Sequence, residues 1–289
     1  MPPDPHIIIG KILGVFEERE RDMLIIGESI NGTIPKVGQA IQEKNEAFLK
    51  ELAKTQYECG AQMLDVNAGV AGGNEIEDLP WLIQLVQQEV PIPLMIDSAN
   101  PDALKAALAV YKHSELPILN SVSGEEEKWK KLFPVVSEKK GKIVVLCMDD
   151  QGIPKTIEGR IATASKLFDR LMKAGIPEDY IYFDPLVLAV SVESDAALVT
   201  LETIQAMRAR FPKSHVICGA SNVSMGLPGR KLINRTFLAM AIFAGLDTLF
   251  IDVRDQALLS TLYAGRPLVN QDSYCMQYLK AFRAKKVVF

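Results

Sequence analysis

Histidine and cysteine are scarce in this chain, three and four residues among 289, and neither type clusters. Cys59, Cys147, Cys218 and Cys275 form no CxxC pair, which argues against a metal knuckle, an iron–sulfur motif or a dithiol redox centre and leaves reduced, buried thiols as the expectation. His6, His113 and His215 stand at no HxH or HxxxH spacing, so no metal site is expected and they read as surface or packing residues. A basic stripe is missing too: 32 Lys and Arg against 36 Asp and Glu give a net charge of -4, which excludes nucleic acid as an expected partner. Long apolar runs are absent. The most continuous, Thr236 to Leu246 (TFLAMAIFAGL), is far shorter than the ~20 residues that cross a bilayer and reads as a buried helix that could face a second subunit. The N-terminal IIIGKILGVF is broken by Lys11, runs into EERERD and lacks a small-residue cleavage site, so it does not read as a signal peptide. A cytoplasmic protein without a membrane partner is expected.

What is present is an alternation of short apolar, β-branched runs with longer amphipathic ones, the pattern of repeated βα units around a parallel sheet. Eight runs read as strands: residues 24–29 (LIIGES), 63–69 (MLDVNAG), 93–99 (PLMIDSA), 117–123 (PILNSVS), 143–149 (IVVLCMD), 180–187 (YIYFDPLV), 215–221 (HVICGAS) and 248–254 (TLFIDVR). Between them, residues 37–60 carry apolar side chains at three- and four-residue steps, and PDALKAALAVYKH opens with proline at a first-turn position. A GxGxxG fingerprint after the first strand would favour a doubly wound dinucleotide fold, but that strand runs into GESINGTIP. The expected fold is therefore an α/β (β/α)8 TIM barrel in one domain over residues 23–289. Residues 1–22 form an extension expected to cap the closed, N-terminal mouth.

Chemistry in such barrels sits at the carboxyl ends of the strands, and here those ends are polar. They carry Asp65 and Asn67, Asp97 and Ser98, Asn120 and Ser121, Asp184, Ser221 and Asn222, and Asp252. Asp252, Asp149 and Ser98 read mainly as helix caps. A carboxylate between Ile96 and Ser98, or between Phe183 and Pro185, is different, because once buried it must be hydrogen-bonded. A ligand rich in N–H donors would satisfy it.

Six phrases in order, GESING, LDVNAG, IDSAN, YFDPL, GASNVS and LINRTFLAMA, resemble the pterin-binding methyltransferases over essentially the whole stretch from Leu24 to Phe282. That family includes the methyltetrahydrofolate:corrinoid protein methyltransferases and the folate domain of methionine synthase, and its barrel is dihydropteroate-synthase-like. The resemblance implies that Asp97, Asn120 and Asp184 hold the pterin, that Asn222 reaches N5 of the folate, that Asp65 supports the network, and that Ser221 and Arg230 are further contacts. The chemistry agrees. A pterin presents N3–H and an exocyclic amine side by side, a donor pair that one carboxylate accepts with both oxygens. A carboxamide and a second carboxylate suit its remaining edge.

Met225 and Gly226 follow SNVS, as in the methionine synthase pattern, where methyltransferases serving the corrinoid iron–sulfur protein tend to carry amides. The implied reaction moves the N5 methyl group between methyltetrahydrofolate and a corrinoid (cobalamin). Because DxHxxG surrounds none of the histidines, the corrinoid is expected on a partner protein. Catalysis by Asn222 and Asp65 is implied, and a homodimer is expected. Two alternatives stand beside this reading. Dihydropteroate synthase would use a Lys near the segment that reads SNVSMG here and an Arg with a nearby His after strand eight, where this chain reads FIDVRDQA. A non-catalytic folate-binding subunit would have no use for Asn222 and Asp65.

Overall fold

The computed structural model describes residues 23–288 apart from Lys139, so the 1–22 extension and its expected capping role lie outside the described residues. Eight parallel strands close in sequence order into a barrel. They are β1 (Leu24–Asn31), β2 (Met63–Asn67), β3 (Leu94–Asp97), β4 (Ile118–Gly124), β5 (Lys142–Asp149), β6 (Ile181–Asp184), β7 (His215–Gly219) and β8 (Thr248–Ile251). Each overlaps the run expected from its apolar, β-branched composition, and β1 runs two residues past it.

Helices follow the strands: α1 (Pro35–Gln42), α2 (Glu46–Cys59), α3 (Glu75–Glu89), α4 (Pro101–Val110), α5 (Glu126–Ser137), α6 (Ile157–Lys173), α7 (Ala196–Arg210), α8 (Arg230–Ala244), α9 (Gln256–Leu268) and, beyond the eighth unit, α10 (Met276–Arg283). Their ends obey local chemistry. Asn100 accepts the Asp102 and Ala103 N–H groups ahead of Pro101 in α4, and Gly60 closes α2 in the left-handed region at φ 110°. One expectation fails here. The helical pattern over 37–60 is two helices, because Lys44 adopts φ 52° and Asn45 starts a new helix by accepting the Phe48 N–H at 3.2 Å. Lys44 is held in that turn by an ion pair to Asp78 and by the Trp81 ring, 4.0 Å below its ammonium.

Apolar burial occurs in two places. One core lies between the barrel and its helices, and the other fills the barrel, where Ile26, Met63, Met95, Ile118, Val144, Tyr182 and Ile217 pack together with Phe250 against them. Side chains two residues apart on a strand share a face. The next tier up is therefore Glu28, Asp65, Asp97, Asn120, Leu146, Asp184 and Gly219, with Asp252 just past the end of β8. Register levels Asp97 with Asn120 and Leu146 with Asp184, while the stagger of the barrel sets Asp65 beside Met95 and Gly219 beside Phe250.

Candidate active site

A cavity of about 260 Å³ opens over that upper tier, lined by Glu28, Asn120, Asp184, Ser221 and Asn222 with Val144, Ile217, Gly219 and Phe250. A neighbouring one of about 120 Å³ shares Asn120 and adds Asp97, Ser121 and Ser123. The fold thus gathers Asp97, Asn120, Asp184, Ser221 and Asn222 around one mouth. Phe250 and Ile217 supply apolar surface for a flat ring, and the polar groups sit at its edges.

The carboxylates are held in unusual states. At the end of β6, Asp184 accepts the Leu186 N–H at 2.8 Å, yet burial lifts its carboxyl to about 6, against the pull of that bond and of the Arg160 charge. Burial likewise lifts Asp97 to about 6, opposed by a hydrogen bond from Asn67. Asp65, fully buried beneath them, has no hydrogen-bond partner for either carboxyl oxygen among the described residues. Burial, then the charges of Asp97 and Glu28, push it well above the usual carboxylate range. Burial thus favours the protonated form at several carboxyls of the tier.

Asn222 and Arg230 reach the site differently. The chain leaves β7 at Gly219 into a short 3-10 turn, Ala220–Ser224, which leaves Asn222 exposed at the rim. Arg230, in the first turn of α8, donates to the Ser221 carbonyl at 2.8 Å and to Ser224 Oγ at 3.1 Å. Its guanidinium thus braces the turn that carries Ser221 and Asn222. On the adjoining loop, Ser191 Oγ donates to the Met225 carbonyl at 2.6 Å, tying the β6 and β7 rims together.

The comparisons with known proteins fit this geometry. A model of the family described as pterin binding enzyme matches residues 31–252. Over 92% of this chain and 98% of the relative's length, 38% of residues are identical to the methylcorrinoid:tetrahydrofolate methyltransferase of Eubacterium limosum. This chain belongs to the pterin-binding methyltransferases. The methionine synthase of Mycobacterium leprae is 27% identical over 79% of the chain, a match that spans only 20% of that larger protein. Among solved structures, a dihydropteroate synthase of Yersinia pestis solved with a pterine-sulfa conjugate superposes with a TM-score of 0.62 at 14% identity, over 88% of this chain and 95% of that one. A dihydropteroate synthase of Coxiella burnetii in complex with pteroic acid gives 0.61 at 16%, over 84% and 94%. At these identities the two structures show the shared barrel alone.

Two features of the site of this pterin-binding methyltransferase escaped the sequence reading. Glu28 faces the cavity with its carboxyl lifted to about 7, by burial and by the Asp252 charge. Its position two residues after Ile26 in an apolar strand was the available signal. The other is Gly219, at φ -88° and ψ 118°, an extended conformation open to any residue. A Cβ there would meet no atom within 4 Å, so its lack of a side chain leaves room in the cavity and relieves no backbone strain.

The capping roles expected of Asp252, Asp149 and Ser98 need correcting. The caps are Asn100, Thr156 and Asp255, each the residue just before its helix. Asp252 instead grips Arg254 at 2.8 and 2.9 Å, Asp149 accepts the Gln151 N–H at 3.0 Å, and buried Ser98 Oγ accepts the Asn100 N–H at 3.0 Å.

Proposed function

We propose that the chain moves a methyl group between N5 of tetrahydrofolate and a corrinoid carried by a partner protein. The observation that carries this reading is the upper tier itself, where Asp97, Asn120 and Asp184 rim two adjoining cavities that share Asn120, and Asn222 stands at the lip of the larger. Asp184, Asn120 and Asp97 complement the pterin edges, and Phe250 and Ile217 flank the ring. Asn222 donates an amide N–H to N5, a bond that strengthens as the lone pair of the departing folate develops and so lowers the barrier more than the ground state. The proton that N5 takes up comes from solvent through a network that includes Asp65. The corrinoid supplies a cobalt centre that accepts or gives up the methyl group. An open rim with exposed apolar residues, Val192 at 81% and Met225 at 55%, suits the approach of a protein-borne macrocycle.

Incubating the protein with methyltetrahydrofolate and cob(I)alamin, and with tetrahydrofolate and methylcobalamin, tests the reading by the cobalamin absorbance. Transfer in at least one direction is expected. Tight pterin binding with no transfer in either direction would leave a folate-binding subunit, and condensation of a pterin diphosphate with p-aminobenzoate would indicate a synthase. Against the synthase, Arg254 after β8 is already paired with Asp252.

We further propose a homodimer through the outer face of α7 and α8. A groove of about 460 Å³ there is lined by Leu198, Leu201, Ala239, Met240 and Phe243, with Met240 49% and Phe243 55% exposed although they belong to the apolar Thr236–Leu246 run. Light scattering should give twice the 31.9 kDa chain mass, and Met240→Glu should return the monomer. A wild-type monomer at micromolar concentration would end the proposal.

A further inference from the structure

Side-chain alternation breaks once in β1, at the edge of the larger cavity. Ile25 and Gly27 face the helix layer while Ile26 and Glu28 face the barrel interior, as a two-residue period requires. Ile30 should then point inward, yet it is fully buried in the outer core between barrel and helices. One extra residue accounts for the reversal. Gly27 pairs with Leu64 and Ile30 with Val66, so three steps along β1 face two along β2, which makes a β-bulge of Glu28 and Ser29. The bulge lets β1 send a carboxyl into the cavity and, two residues on, an isoleucine into the opposite core. A strand of strict period could do only one of these.

A bulge disrupts the ladder locally, and a buried N–H that it frees needs another acceptor. Gln56 of α2 supplies one. Its side chain is fully buried, and its Oε1 accepts the Ser29 N–H at 3.0 Å. The approach depends on Gly27, where a Cβ would come 2.6 Å from that oxygen; Gly27 adopts no left-handed conformation, so its missing side chain serves the contact and not the backbone. Gln56 Nε2 has no hydrogen-bond partner among the described residues, so the amide is buried for the sake of its oxygen. On the other side of the bulge, the Ser29 hydroxyl donates to Asp252 Oδ1 at 3.5 Å, and the Asp252 backbone gives the Glu28 carboxyl a hydrogen bond. We propose that Gln56 is a positioning residue, which fixes the bulge through Ser29 and thereby holds Glu28 in the cavity wall it shares with Asn120, Asp184 and Asn222. What the cavity takes up rests on the folate reading.

The test follows the Glu28 carboxyl, which burial and the Asp252 charge hold near 7. In protein labelled with 13C at glutamate carboxyl carbons, with the signal assigned through Glu28→Gln, Gln56→Met should lower the Glu28 midpoint by about one pH unit or more, as the carboxyl leaves its buried place. Gly27→Ala, whose methyl displaces Gln56 Oε1, should lower it as far, and the double variant no further. Gln56→Glu, which keeps an oxygen facing Ser29, should not lower it. Tetrahydrofolate affinity should fall about fivefold in Gln56→Met, and not at all when Gln56→Met is added to Glu28→Ala. An unchanged midpoint in Gln56→Met, falls that add, or the same affinity loss without Glu28 would overturn the proposal. Should the variants not fold, the wild-type protein must show a scalar coupling across the hydrogen bond from Ser29 15N to the Gln56 side-chain carbonyl carbon, and its absence where ladder couplings are observed would also overturn it. A midpoint that moves in a protein unable to bind tetrahydrofolate would uphold the Gln56–Glu28 coupling while removing the folate reading.

Discussion

Two residues along each strand separate the lower tier of the barrel interior from the upper one. Below, Ile26, Met63, Met95, Ile118, Val144, Tyr182, Ile217 and Phe250 close the barrel with apolar contacts and one stacked pair, Tyr182 on His215 at 4.4 Å. Above, four strands present carboxylates, one an amide, one a leucine and one a glycine, with Asp252 just past the end of the eighth. The lower tier is stable in itself. The upper tier is stable only while several of its acids are protonated, paired or bound to donors. Burying polar groups short of partners is unfavourable, so the upper tier is where stability has been given up for recognition.

The comparison predicts effects of descending size. Asn222→Ala, at the rim and outside both tiers, should lower the rate of methyl transfer about ten- to a thousandfold at saturating folate, with a smaller change in affinity. Stopped-flow single turnovers decide this, and a normal rate with collapsed binding would make Asn222 an anchor. Asp184→Ala should do the reverse, weakening tetrahydrofolate by ~1 to 3 kcal/mol because ring donors lose their acceptor. Calorimetry giving wild-type affinity would remove Asp184 from the site.

The smallest effect concerns stability. Glu28, Asp97 and Asp184 are raised in the fold to about 7, 6 and 6, so they bind protons more tightly folded than unfolded. Their contribution is fully present below the usual carboxylate range near pH 4 and is lost as pH rises through 6 to 7. The ligand-free protein should accordingly melt higher at about pH 5.5 than at about pH 8, and Glu28→Gln, neutral throughout, should flatten that slope by about 2 °C. A slope of unchanged steepness in Glu28→Gln would show that Glu28 is not held in this state.

Most of this was legible in the chain because period and composition report directly on burial. All eight strands were readable from runs such as IVVLCMD, and Asp97, Asn120 and Asp184 stood out as polar residues closing apolar strands. Glu28 follows the same two-residue alternation but stands inside the run expected at 24–29 and not at its close, and β1 runs on to Asn31. Arg160 could not be found from the sequence. A charged residue in a first helical turn looks solvated, and its burial arises from packing against β5 and α7, contacts between distant parts of the chain. The resemblance implied Arg230 as a pterin contact; that its guanidinium braces the Ser221 carbonyl depends on how the β7 turn folds back onto α8.

Gly219 makes the seventh strand the silent member of the upper tier, and that silence makes the cavity adjustable. Since its backbone would accept any residue, a side chain there should narrow the space and leave the scaffold intact. Gly219→Ala and Gly219→Val then form a graded set of plugs, discriminating ligands by bulk while Tm stays near that of the wild type. Conversely, a pterin analogue bearing an added methyl on the edge that faces this strand should fit the native protein and be refused by Gly219→Val, a matched pair of bump and hole readable in one displacement titration.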